Sequence, residues 1–284
     1  MLVLLPPSET KASGGKGPPL ALDRLSYPEL TPARRKLIEE LVALAGDAPA
    51  GLAALGLSER QSGELERNAG LCSAPTLPAL LRYTGVLYAA LDAGSLRPAQ
   101  RARLAVASAL FGLLAADDPI PTYRLSATAT LPGLGSVRSI WRPALAPSLA
   151  ELAGLVIDLR SGSYTALGAV PGAVTVDVVS DDGRGRRRTV SHHNKSHKGR
   201  LARLLATAPR AVSDAAGVAR IAQRGGLRAQ RTGEHTVELV ARTCESRQVI
   251  WPHRSSRMLA PVVVSGQVVA SGWRPVESPR SCGF

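Results

Sequence analysis

Between Gly183 and Arg203 the chain reads GRGRRRTVSHHNKSHKGRLAR, a stretch with eight Lys/Arg, three His and no acidic residue. Residues of these types, so close together, receive negative charge. The pattern predicts a short strand from Arg188 to His192 that passes through Asn194, a good N-cap residue, into a helix over Lys195 to Ala206. At 100° per residue, Gly199 and Ala202 lie close to the direction of Lys195 and are flanked by Lys198 and Arg203, while Leu201, Leu204 and Leu205 point away. Small residues let a ligand approach the backbone. Flanking cations form charge-assisted hydrogen bonds of about 1.5–3 kcal/mol when they are not fully solvated. Phosphate is the matching guest, and a solvated basic face is the alternative. The turn-like DDGRGR that holds Arg184 and Arg186 favours the second, the ordered Lys195, Lys198, Gly199 and Arg203 set the first.

Other residues able to do chemistry sit in loops. Ser8 to Pro19 follows a short apolar run and contains Glu9, Lys11, Gly14, Gly15, Lys16 and Gly17. It matches neither GxxxxGK[ST] nor GxGxxG, so alone it is weak evidence for a phosphate loop. Gly85 between helical stretches reads either as the hairpin glycine of a helix-hairpin-helix, whose backbone amides hold a phosphate, or as a packing glycine. Tyr123 and Arg124 can supply a hydroxyl and a forked donor to a ligand, or can be half-buried and tied to a structural carboxylate. Asp117 and Asp118 read as turn and cap residues, because adjacent side chains in a turn diverge. Ser161, Ser163 and Tyr164 lie just past a buried strand, a common ligand position in open α/β sheets; a plain connecting turn is the equal alternative.

Much familiar chemistry is missing. His193 and His197 are four apart, but HNKSH lacks the glutamate of HExxH and is crowded by lysines, so no metal site is expected. His192 or His193 is available as a general base. No GxSxG elbow and no cofactor fingerprint occurs, and no cofactor is expected. Were the chain an enzyme, Lys195, Tyr164, Tyr123 and His193 are the catalytic candidates.

The elements that must position these residues come from a chain of 284 residues with 45% hydrophobic content, ample for a core. A net charge of +13 and a pI near 10.6 point to polyanionic or phosphorylated partners. An aromatic content of 4% argues against a base-stacking single-strand binder. Cys72, Cys244 and Cys282 show no CxxC spacing, so structural disulfides and zinc knuckles are not expected, Cys72 reads as buried, and a reducing cytoplasm fits. MLVLLPPSET has only a four-residue apolar core and no run approaches eighteen apolar residues, so the chain is expected to be neither secreted nor membrane-spanning. No obligate protein partner is evident.

In order, Leu2 to Leu5 reads as a buried strand ended by Pro6-Pro7. Helices are predicted over Thr31 to Ala45, Ser58 to Asn68, Thr76 to Leu91 and Arg97 to Leu114, a helical first half. After a loop-rich stretch from Phe111 come a helix over Ser139 to Ala153, strands over Leu155 to Leu159, Val174 to Val179 and Arg188 to His192, a helix over Ser213 to Gln223 and a strand over His235 to Val240. The fold class is α/β, a mixed sheet with flanking helices. Residues 1–243 read as one domain and 244–284 as an extension of uncertain order.

Taken together, MLVLLPPSETK, RYTGVLYAALDAGSL (Arg82 to Leu96), ALFGLLAADDPIPTYRL (Ala109 to Leu125), the Trp141 helix, IDLRSGSY (Ile157 to Tyr164) and VSHHNKSHKGRLAR (Val190 to Arg203) resemble the YaaA family of bacterial peroxide-stress proteins in order and spacing. The resemblance implies that family's own mixed α/β fold, a helix-hairpin-helix-like segment, affinity for DNA and a role in limiting iron-driven damage during peroxide stress. Gly85, Tyr88, Tyr123, Arg124, Tyr164, Lys195, Gly199 and Arg203 match family motif positions. Lys198 stands where another basic residue also occurs, and Glu9 and Thr10 depart from the family's lysine-bearing loop. Two readings follow. One is a stress protein that contacts duplex DNA phosphates through Lys11, Gly85, Arg124, Ser163, Asn194, Lys195, Lys198, Gly199 and Arg203. The other is an enzyme that takes a nucleotide or other phosphorylated small molecule in a basic pocket.

Overall fold

The computed structural model describes the backbone of residues 1–181, 187–189 and 191–242, and the side chains of 1–179 and 194–241. Its strands are β1 (Leu2–Leu5), β2 (Leu77–Pro78), β3 (Leu104–Ser108), β4 (Gly112–Ala115), β5 (Pro119–Ile120), β6 (Thr130–Leu131), β7 (Gly135–Ser136), β8 (Val156–Asp158), β9 (Val174–Asp181), β10 (Arg187–Thr189), β11 (Ala229–Arg231) and β12 (Thr236–Arg242). Its helices are α1 (Thr31–Ala45), α2 (Ala48–Leu55), α3 (Gly63–Ala69), α4 (Ala79–Arg82), α5 (Val86–Leu91), α6 (Pro98–Arg101), α7 (Val137–Ala150), α8 (Gly162–Thr165), α9 (Ser191–Thr207) and α10 (Ala215–Arg224).

The main sheet runs β11-β12-β9-β8-β1-β3-β4, with β10 on β9. The inner neighbours β12, β9, β8, β1 and β3 are parallel, and β11, β4 and β10 add antiparallel pairs. This is the mixed α/β sheet expected. The apolar run of β1 explains its central place: Val3, Leu4 and Leu5 are all inaccessible to solvent, as a strand covered on both faces requires. Its register sets the geometry of one sheet edge, with Leu4 beside Asp158 of β8 and Leu5 beside Val106 of β3.

The helix predicted over Arg97 to Leu114 is corrected. Only Pro98–Arg101 is helical, and the apolar residues after it form the antiparallel pair β3–β4. A short apolar run buried on both faces has no period by which helix and strand can be told apart. Thr76 to Leu91 is likewise broken into β2, α4 and α5, and the strand predicted over Arg188 to His192 yields to α9 from Ser191.

Buried polar groups tie these pieces together. Arg34, fully buried in α1, donates from Nε to Phe111 O at 3.0 Å and from one terminal nitrogen to Ser26 O and Leu113 O at 2.8 and 2.9 Å. Asp118 accepts from Ser26 N, Ser26 Oγ and Ala115 N, and Asp117 pairs with Arg101 at 2.9 Å, the structural roles expected of a turn. Trp141 in α7 donates to Ala109 O at 2.7 Å. Its ring lies against Gly112, where a Cβ would come 2.6 Å from it and φ is +74°. Only glycine fits there.

Candidate functional site at the carboxyl edge of the sheet

In an open parallel sheet the loops that leave the carboxyl ends of the strands share one edge, where ligands bind. Here that edge is built from the loop after β1, the ends of β3 and β8, and the facing helices α5 and α9.

Pro6-Pro7 ends β1 and sends the chain into Ser8 to Pro19. The loop is fixed by backbone pairing: Ala12 N donates to Arg82 O, Thr84 N donates to Thr10 O, and Lys11 bridges Tyr83. Arg82, fully buried, donates to Ile120 O, Ala12 O and Pro75 O, which staples α4, β5 and the loop together. Lys11 is thereby carried over a tyrosine cluster. Its Nζ lies 4.3 Å from the Tyr123 ring centre and 5.5 Å from that of Tyr83, and donates to Ser8 O and Glu9 O at 3.2 and 3.3 Å. Burial, helped by the Arg124 guanidinium and less by Arg67, lowers its pKa to about 8 against the weaker pull of Glu64 and Glu9.

Beneath Lys11 the Tyr83 and Tyr123 hydroxyls meet at 2.7 Å, and Ser108 Oγ at the end of β3 lies 2.8 Å from that of Tyr123. Desolvation pushes both phenols, and that of Tyr88, above the ordinary tyrosine range, so they stay protonated. Tyr123 is 2% exposed, and its hydroxyl is engaged inside the protein rather than offered to a ligand. Arg124 does face outward. One of its terminal nitrogens is 3.4 Å from Glu9 Oε2, while Asn68, fully buried, clamps its backbone by donating to Arg124 O and accepting from Arg124 N. Tyr164 is half-buried against the same group. Desolvation, then Tyr123 and Glu9, raise its pKa, while a backbone hydrogen bond at Ala127 and the Arg124 charge oppose the shift.

The second half of the edge is β8 and α9. Lys198 Nζ donates to Leu159 O at 3.1 Å and sits 3.4 Å from Arg160 O, and burial lowers its pKa against Asp158 and Asp177. Because Leu4 and Asp158 are in register, these carbonyls lie beside the end of β1, and Tyr88 Oη donates to Pro6 O there at 2.8 Å. Asp158 and Arg160 form a buried bidentate pair, with a shortest contact of 2.7 Å, and Arg160 also donates to Tyr164 O and Gly168 O. Sequence reasoning missed Asp158, Arg160, Asn68 and Arg82. The Asp-x-Arg spacing in IDLRSGSY, which in extended chain turns both side chains the same way, is the available signal.

Several expected binders are placed elsewhere. Gly199 is buried against α5, where a Cβ would come 2.2 Å from Leu87 O and 2.9 Å from Ala90 Cβ, so it serves helix packing and no ligand approaches it. Arg203 donates to Leu91 O, Asp92 O and Ser95 Oγ, closing the end of α5, with Asp92 Oδ2 at 3.3 Å. Asn194 lies inside α9 rather than at its cap, and its Oδ1 is buried with no partner among the described residues. Lys195 and Ser163 are exposed. Gly85 caps α5 at φ +96°, exposed, with Ser8 Oγ and Thr10 Oγ1 within 3.2 Å of where its Cβ would be. The His193 side chain, Arg184 and Arg186, and residues 243–284 lie outside the described residues. Among the described residues no three His, Cys, Asp or Glu side chains group as metal ligands, and no helix is long and apolar enough to cross a membrane. Cys72 is half-buried and disulfide-bonded, which corrects the expectation of unpaired thiols.

Fold and edge together define an open mixed α/β protein with a cation-lined carboxyl edge. Residues 1–228 match the family model described as peroxide stress protein YaaA. A UPF0246 protein of Corynebacterium efficiens is 52% identical over 231 residues, 80% of this chain and 94% of that protein. Another from Corynebacterium glutamicum is 46% identical over 239 residues, 83% and 97% of the two chains, and one from Streptomyces coelicolor is 47% identical over 220 residues, 73% and 84%. The chain belongs to the YaaA family of peroxide stress proteins.

Proposed function

We propose that the protein acts in the peroxide-stress response by binding duplex DNA mainly through its phosphates at the carboxyl edge, so limiting iron-driven damage to the bound DNA. The observation that carries this reading is a pair of half-buried ammonium groups, Lys11 and Lys198, at neighbouring strand ends. Each donates to backbone carbonyls and makes no ion pair among the described residues, on a chain of net charge +13. A desolvated cation without a counter-ion gains when an anion arrives. The exposed Gly85 turn between α4 and α5 stands at the same edge beside the hydroxyls of Ser8 and Thr10, and Lys195 and Arg200 extend the charge along α9.

The test is a fluorescence-anisotropy titration of a labelled duplex of about 20 base pairs from 50 to 300 mM salt. Affinity is expected to fall steeply, with a log–log slope of about −0.9 for each phosphate neutralised, and Lys195→Ala is expected to flatten the slope by about 1 without changing sequence preference. A salt-insensitive curve overturns the reading.

A second reading, an enzyme acting on a nucleotide or other phosphorylated small molecule, is favoured by one feature. Lys11 and Tyr164 both lie in the field of Arg124, and burial lowers the Lys11 pKa to about 8, closer to the range in which side chains move protons. A thermal-shift screen of nucleotides tests it, with a ligand-specific rise in Tm as the supporting result.

A further inference from the structure

The positive charge of this chain is concentrated in one part of it. Residues 183–233 hold 13 Lys/Arg and one acid, a formal balance of +12, whereas residues 1–182 hold 16 Lys/Arg and 17 Asp/Glu. Nearly all of the net charge of +13 therefore belongs to the segment that contains β10, α9, α10 and β11. Its one acid, Asp214, caps α10 by accepting from Gly217 N at 2.6 Å. Packing then gathers four arginines at the surface. α10 lies beside α9, and both rest against β12. Leu204 of α9 packs on Gly225, the residue after α10, so Arg200, one turn before Leu204, lies on the side of α9 turned to the end of α10 that carries Arg224. Arg220 is one turn before Arg224 on the same face, and Arg228 follows the Gly225-Gly226 turn, its carbonyl accepting from Val240 N at 2.8 Å. All four arginines are exposed, and none makes an ion pair or a side-chain hydrogen bond among the described residues. Elsewhere on the surface Arg67 pairs with Glu64 and Arg203 with Asp92.

We infer that Arg200, Arg220, Arg224 and Arg228 form a second docking surface for duplex DNA, a strip on helices α9 and α10 that takes phosphates of the backbone. The inference rests on the DNA reading above and extends the contact surface beyond the carboxyl edge. The chemistry of the strip selects this partner. The apolar side of α10, Ala215, Val218, Ala219 and Ala222, is buried, so the helix has no apolar face to lay into a lipid surface. Residues 183–233 contain no Phe, Trp or Tyr, so unpaired bases have nothing there to stack on. What remains is a row of guanidinium groups, whose forked donors take phosphate oxygens without reading sequence. The 10 residues of α10 span about 15 Å, the rise of about four phosphates along one strand of a duplex. A strip of this length meets several phosphates of one strand at once.

The test compares two pairs of arginines that are alike in everything but place. Arg138 and Arg142 are also exposed and one turn apart, but they stand on α7, in the part of the chain where charges balance. Full-length Arg220→Gln/Arg224→Gln and Arg138→Gln/Arg142→Gln proteins are titrated with one labelled DNA duplex across a salt series. The α10 variant should bind roughly tenfold more weakly and flatten the log–log salt slope by about 1.8, two contacts at about 0.9 each. The α7 variant should stay within about twofold of wild type. Arg228→Gln, outside any helix, repeats the test with one charge and should flatten the slope by about 0.9. Thermal melts accompany each titration, so that a loss of binding is scored only in a protein with the wild-type Tm. A steep salt dependence in wild type with equal effects of the α10 and α7 substitutions overturns the strip and leaves the DNA reading standing, whereas a salt-insensitive wild type overturns both. Tighter binding of a duplex RNA, or of phosphatidylglycerol vesicles, that is lost in the α10 variant alone overturns the assignment to DNA.

Discussion

Lys11 carries the account at the scale of single residues, and its protonation is a statement about stability. Its folded pKa lies below the ordinary lysine value, so between about pH 8 and pH 10.5 the unfolded chain holds a proton that the native chain has lost, and stability rises with pH across that window. The buried tyrosines act oppositely. Tyr83, Tyr88 and Tyr123 are raised, so above about pH 10 the unfolded chain ionises first and stability falls. Lys11→Met should therefore be more stable than wild type at pH 7, by on the order of 1 kcal/mol, and should lose the rise above pH 8. Urea unfolding of both proteins at pH 7, 8.5 and 9.5 checks this; an unchanged difference across the series contradicts it. Sequence reading found Lys11 by its place in a Gly-rich loop after β1. It had no means of seeing that Tyr83 and Tyr123, 40 residues apart, meet beneath it, because that contact is made by tertiary pairing. Asn68 was illegible for the same reason. An asparagine on an amphipathic helix reads as solvent-facing until the Arg124 backbone is known to lie against it.

At the scale of elements the consequential contact is α5 on α9. Gly199 lets Leu87 O approach closely, and Arg203 closes the C-terminal end of α5 through Leu91 O, Asp92 O and Ser95 Oγ. On sequence alone both residues read as anion binders, because they share a face of α9 with Lys195. Periodicity identifies a face of small residues but does not say whether a ligand or another helix fills it. Gly199→Ala should cost about 3 kcal/mol or more, at the upper end for overpacking, because the obstacle is backbone. Arg203→Ala should cost about 1 kcal/mol and leave DNA affinity within the effect of one distant charge. Denaturation midpoints beside anisotropy titrations separate the two; a large loss of affinity in a stable Arg203→Ala protein returns Arg203 to the binding surface. Long periodic elements such as α1, α7 and α10 were legible within a few residues. The strands β3 and β4, apolar but for Ser108, were not, because nearly every residue in them is buried and no alternation marks a strand.

At the scale of the whole molecule, net charge says that polyanions are attracted but not where they bind. The site proposed above rests on topology. Parallel strands β1 and β8 end side by side; the loop after β1 carries Lys11 and helix α9 carries Lys198, 187 positions on in the sequence, against the carbonyls at the end of β8. A diffuse field of 35 cations would attract DNA to any face, whereas the proposed site requires particular ammonium groups. Charge-matched substitution separates the two directly. Lys11→Ala, Lys198→Ala and Lys36→Ala each remove one positive charge, and Lys36 stands exposed on α1. Measured for one labelled duplex at 150 mM salt, Lys11→Ala and Lys198→Ala should each weaken binding roughly tenfold, as loss of a charge-assisted phosphate contact does, with Lys36→Ala within about twofold of wild type. Equal losses in all three proteins, or none in the first two, contradict the account.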